Sequence, residues 1–102
     1  GASMNGIVWQ GSANGGLVRF QITSSNCANG ASDPPTCMAG GWQYRGPDGT
    51  ANTFYEAGPN IPIKINPAYH TNYRYIGYFV RLERVGGPPY PQINDISINW
   101  SP

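Results

Sequence analysis

The sequence predicts an all-β domain: an antiparallel β-sandwich of about seven strands, wound as a jelly roll. Three observations carry this. From Tyr73 to Arg84 the chain alternates, with Ile76, Tyr78, Val80 and Leu82 on one side and Tyr73, Tyr75, Phe79, Arg81 and Glu83 on the other. A period of two over such a length suits a strand and cannot be met by a helix. Gln92 to Trp100 repeats the pattern, placing Ile96, Ile98 and Trp100 opposite Asp95, Ser97 and Asn99. Finally, no segment beyond the first four residues spaces apolar residues at i, i+3, i+4 and i+7 through three turns.

The elements follow in chain order. Gly1 to Met4 reads as a cloning remnant, leaving residues 5–102 as a single domain. Gly6 to Gln10 is a short apolar strand. Gly15 to Ser24 alternates, with Val18, Phe20 and Ile22 inward and Arg19 and Gln21 outward. Gly41 to Arg45 is a strand carrying Trp42 and Tyr44 on one face. Gly46-Pro47-Asp48-Gly49 is a turn, because proline presets φ and glycine tolerates positive φ. Thr53 to Glu56 and Ile61 to Asn66 are further strands, and Pro62 marks the latter as an edge or a strand start. Asn66 to Asn72 reads as an exposed loop, and Gly86 to Pro89 breaks the chain between the two long final strands. Trp9, Phe20, Tyr78 and Trp100 fall on apolar faces and are the expected aromatic core.

Composition narrows the function. Charged residues make up 11% of the 102 positions, against roughly 25% in ordinary soluble domains. Asn, Gly, Ser, Thr, Tyr and Pro replace them, as in extracellular β-proteins whose surfaces hydrogen-bond more than they ionise. A formal net charge of +1, with six dispersed basic residues, provides no field for nucleic acid. No apolar run approaches the roughly 20 residues of a membrane span, so no membrane contact is expected from this fragment, which reads as an excised domain. Cys27 and Cys37 bound a segment too rich in Asn, Gly and Pro for regular structure. Either they close a loop disulfide, the reading preferred here, or they are two free thiols; with one distant histidine they make no zinc site. A disulfide implies a secreted or cell-surface setting.

Several blocks together resemble a bacterial surface-domain family with a concanavalin-like, laminin-G-like jelly roll: GGLVRFQITSS, WQYRGPDGTANTFYEAG, NYRYIGYFVRLER and PQINDISINWSP. In that order they look like the exported C-terminal domain of pilin-like (prepilin) proteins, and the likeness spans Gly15 to Pro102. The resemblance implies a non-catalytic module on a cell surface or in a filament, preceded in the full protein by an apolar helix. It implies no ligand set.

Reactive groups are sparse, and no enzyme is expected. Of the five carboxylates, Asp33, Asp48, Glu56, Glu83 and Asp95, the first two sit in loops, Glu83 is expected to pair with Arg81 or Arg84 or to be solvated, and Asp95 is the weak calcium candidate, with Asn94, nearby carbonyls and Asp48 as co-ligands. The alternative for Asp95 is a hydrogen bond to an incoming turn. His70 is the single imidazole and reads as solvated or bonded to backbone. No cofactor is expected. Aromatic residues are the remaining resource. Trp42 and Tyr44 share a face, as do Tyr73, Tyr75 and Phe79 with Arg81, and an exposed stripe of this kind suits stacking on sugar rings or docking a partner protein. The alternative is that loops cover that face. Tyr55, Tyr69 and Tyr90 lie near turns and could rim a site. The expected partners are therefore a surface glycan, a protein, or like subunits in a filament.

Overall fold

The computed structural model describes residues 2–30, 41–84 and 86–101, the side chains of 2, 3, 72, 100 and 101 excepted. These residues form seven strands and no helix: β1 (Ala2–Ser12), β2 (Leu17–Ser25), β3 (Tyr55–Glu56), β4 (Ile63–Lys64), β5 (Thr71–Tyr73), β6 (Tyr75–Glu83) and β7 (Gln92–Ser101). All pairings are antiparallel and fall into two sheets. In the first, β1 is central, with β7 along one edge and β4 and β5 along the other. In the second, β2 is central between β3 and β6.

The core lies between the sheets, in a sandwich-like arrangement. Met4, Ile7 and Trp9 of β1 and Ile63 of β4 meet Val18, Phe20 and Ile22 of β2 and Tyr55 of β3, with Ile65 beside them. Alternation explains β2: Val18, Phe20 and Ile22 project to one face because successive side chains point oppositely. In β1 the spacing is irregular, since Met4 and Ile7 lie three apart. The register shifts between Met4 and Gly6, so Asn5 is an extra residue that returns Met4 to the core side. A second shift pairs Gln10 with Asp95 but Gly11 with Ile93, and Asn94 is extra there. Ile93 and Ile96 thereby both pack against the core.

Several expectations are corrected. The first strand begins at Ala2, not Gly6, and Met4, set aside as part of a remnant, is only 1% exposed in the core. Asn14 and Gly15 take positive φ of 49° and 79° in a turn closed by Gly16 N–H to Ala13 O at 2.8 Å. Such an Asn-Gly turn ordinarily joins paired strands, yet here it carries the chain from one sheet to the other. Gly86 to Pro89 does the same: β6 pairs with β2 and β7 with β1, so the two long final strands are not neighbours in a sheet.

The strand expected over Tyr73–Arg84 is interrupted at Arg74, whose N–H is held by Asn26 Oδ1 at 3.0 Å. Tyr73 consequently belongs to β5 and the first sheet, and Tyr75 to β6 and the second. Tyr78, expected in the core, is 41% exposed, and Leu82 on the same face is 47% exposed. The reason is position: β6 is an outer strand, so only Ile76 and Val80 reach the rim of the core. Trp100 pairs with Met4, and its side chain lies outside the described set. Gly41–Arg45 contains no strand, only a single bridge from Arg45 to Ile22. Cys27 is buried; Cys37 and Asp33 lie outside the described residues.

Candidate functional site

The second sheet turns its outer face toward a long loop. On that face Arg19, Gln21, Thr23 and Ser25 of β2 stand opposite Arg81, Phe79, Gly77 and Tyr75 of β6. Residues 41–53 cross part of it and leave an open groove of about 590 Å3, lined by Gln21, Trp42, Gln43, Tyr44, Arg45, Gly49, Ala51 and Phe79. This volume falls within the range of small-molecule sites, roughly 300–1,000 Å3.

The loop is anchored from below, so the groove wall is defined in advance of any ligand. Arg45 and Ile22 exchange two main-chain bonds, at 2.8 and 2.9 Å. Gln21, expected to face solvent, is only 6% exposed, because its Nε2 donates to Ala51 O at 3.0 Å and Thr53 O at 2.9 Å. Asp48 Oδ1 accepts from Thr50 N–H, Thr50 Oγ1 and Thr53 Oγ1 at 2.9, 2.8 and 2.6 Å. These bonds, that from Thr53 foremost, hold the Asp48 carboxyl below its ordinary pKa of 3.8. The expected turn at Gly46–Gly49 is present, closed by Gly49 N–H to Gly46 O at 3.0 Å.

Two glycines seat the aromatic rings. A Cβ on Gly30, where φ is +81°, would come within 2.6 Å of the Trp42 ring, so the indole lies directly on glycine backbone. A Cβ on Gly49, where φ is +82°, would come within 2.5 Å of the Tyr69 ring. Tyr69 OH donates to Asp48 O at 3.2 Å and Asn66 Nδ2 to Pro47 O at 3.0 Å, tying the turn to the 66–69 segment. Within the groove the Tyr44 and Phe79 rings are tilted at 52°, with centroids 5.7 Å apart, a favourable edge-and-face arrangement.

The six aromatic and basic candidates thus divide. Trp42, Tyr44 and Phe79 converge on the groove. Tyr73 is on the other sheet, and Tyr75 and Arg81 share the face of β6 with Phe79 without lining the groove. Arg81 bonds Glu83 at 2.8 Å, and Arg19 bridges Glu56 and Glu83, so these groups form a charge ladder across the sheet. Gln21, Gln43, Arg45, Gly49 and Ala51 were not foreseen. Only the GPDGT turn hinted that this segment folds back on the sheet.

The remaining candidates sit elsewhere. Asp95 is exposed in mid-strand opposite Gln10, and Asn94 Oδ1 accepts from Gln92 Nε2 at 2.9 Å. Among the described residues no three His, Cys, Asp or Glu side chains cluster as metal ligands. Tyr55 is a core residue whose hydroxyl accepts Asn66 N–H at 3.0 Å. Tyr90 is exposed beneath the Arg84 guanidinium, 5.1 Å from the ring centroid.

His70 is not solvated. It is 1% exposed, with Nδ1 2.8 Å from Ser24 Oγ. Ser24 Oγ donates its one hydrogen to Tyr69 O at 3.2 Å, which makes His70 Nδ1 the donor and leaves Nε2 bare. Nε2 is buried without a partner. Burial, with a further contribution from the Arg45 charge, pushes the imidazole pKa down to about 4. His70 is thus neutral at pH 7 and packs edge-on against Tyr69.

No protein family, curated protein or solved structure matches the chain.

Proposed function

We propose that this chain is a non-catalytic extracellular binding domain whose outer-face groove takes a carbohydrate. One observation carries the reading: three aromatic rings, two side-chain amides and a guanidinium converge on one open groove with a pre-set wall. Aromatic faces stack against the C–H faces of sugar rings, and amides and guanidinium groups satisfy hydroxyls. An open, partly polar site of this kind matches ligands with dissociation constants of about 10 μM to 1 mM, the range of about 4–7 kcal/mol in binding free energy.

The test is a titration of the domain with oligosaccharides, followed by amide chemical shifts. Ligand-dependent shifts should centre on Gln21, residues 42–45 and Phe79, and Phe79→Ala and Trp42→Ala should each weaken them at unchanged fold. Shifts that instead gather on β7, or that survive both substitutions undiminished, contradict the assignment.

The wider setting belongs to the same proposal. Low charge and the resemblance of Gly15–Pro102 to pilin-like surface domains support a jelly-roll connectivity and display on a cell surface or filament among like subunits, and the Asn-, Gly- and Pro-rich segment between Cys27 and Cys37 supports a disulfide closing that loop. An upstream gene segment encoding an apolar helix of about 20 residues is expected; a catalytic domain encoded there instead would refute this part.

A further inference from the structure

We infer that the groove selects an acidic sugar, a uronic acid whose carboxylate docks on Arg45; this rests on the groove being a saccharide site at all. The chemistry of the lining points to it. Among the described lining residues Arg45 is the one charged group, and none is acidic. The neighbouring Asp48 already accepts three hydrogen bonds from its own loop through one oxygen.

Arg45 is half-buried, and its main chain is clamped to Ile22 on both sides. Its Nη2 donates to Gln43 Oε1 at 2.9 Å, a neutral acceptor. The described ion pairs join Arg19 to Glu56 and Glu83 and Arg81 to Glu83, and none includes Arg45. Arg19 makes the useful comparison. It too is half-buried, on the same sheet, and there two carboxylates flank it.

A partly desolvated guanidinium that retains most of its five N–H donors, with no carboxylate paired to it among the described residues, favours an anion placed against it over a neutral group. Phe79, Tyr44 and Trp42 then supply the faces for the ring that bears the carboxylate, and the Gln21 and Gln43 side chains border the same space.

Oligogalacturonate and its methyl ester share one ring skeleton and differ in the carboxylate, so together they isolate the charge. The free acid should bind about tenfold more tightly than the ester, as one charge-assisted contact at a half-exposed site provides. That preference should shrink with added salt and vanish in Arg45→Gln, whose main-chain clamp is retained, while Arg45→Lys should keep part of it. Phe79→Ala should weaken both ligands alike. Equal affinity for acid and ester overturns the inference but leaves the saccharide groove standing. A preference that persists in Arg45→Gln also overturns it, by assigning the anion to another residue. If neither these two nor neutral oligosaccharides bind, the groove reading falls as well.

Discussion

Acidification from pH 7 to pH 4 should destabilise the domain through His70. Its folded pKa is about 4, against an ordinary value of 6.5. The chief cause is burial, and the Arg45 charge adds to it. Bare Nε2 has no acceptor within reach, so a proton placed there would be buried without a hydrogen-bond partner. Below pH 6.5 the unfolded imidazole takes up a proton that the folded one refuses until about pH 4. Stability is therefore complete above the unfolded value and falls as pH drops through this window. The gap is worth about 3 kcal/mol at about 1.4 kcal/mol per pKa unit, a large share of the roughly 5–15 kcal/mol that holds a small domain. Asp48 adds little to the measurement: its pKa is depressed below 3.8, so most of its contribution is lost only below pH 4, and it is common to both proteins. Urea unfolding followed by tryptophan fluorescence, at steps from pH 7 to pH 4, should show the loss in the natural sequence and a markedly shallower profile in His70→Gln. The substitution also breaks the Ser24 contact, but that offset is independent of pH, so the slope is the readout. Parallel profiles for the two proteins, or an imidazole titrating near 6.5 by NMR, would refute the reasoning.

Further outcomes follow from packing and hydrogen bonding. Trp9→Ala should cost about 3–5 kcal/mol in chemical denaturation, since the indole is fully buried and its Nε1 donates to Ala57 O at 2.9 Å. Gln21→Leu should release the groove loop by removing the donors to Ala51 O and Thr53 O; faster amide exchange over residues 46–53, at about 1–3 kcal/mol of lost stability, is the expected signature. Gly30→Ala should displace the Trp42 ring, because a methyl group there overlaps it and positive φ disfavours alanine by about 1–2 kcal/mol. A shift in Trp42 fluorescence and weaker ligand binding would report it, and unchanged emission with unchanged affinity would count against the seating of the ring.

What could be read without coordinates was the two-sidedness of each strand. Val18, Phe20 and Ile22 alternate with polar residues, as do Ile96 and Ile98, and both sets face the core side. Alternation is local, so it survives in the sequence. The GPDGT turn was equally legible, since proline and glycine write their backbone angles directly into the chain. For the candidate site, the aromatic residues Trp42, Tyr44 and Phe79 were recoverable by type, though nothing local showed that they would meet.

Pairing and covering were decided only in three dimensions. Period two cannot say which strand lies alongside, so β6 and β7, consecutive in the chain, went to different sheets, and Tyr73 parted from Tyr75 at a one-residue break. The extra residues Asn5 and Asn94 each reverse the face on which later side chains emerge, which places Met4, read in the sequence as part of a remnant, in the core with Ile7. Gln21 and His70 look solvent-facing in the sequence because polarity is local, whereas their burial comes from segments 30 and 46 residues away in the chain. Arg45 is the same case with a functional consequence: its charge is written in the chain, but the absence of a described carboxylate beside it depends on where every other strand came to rest.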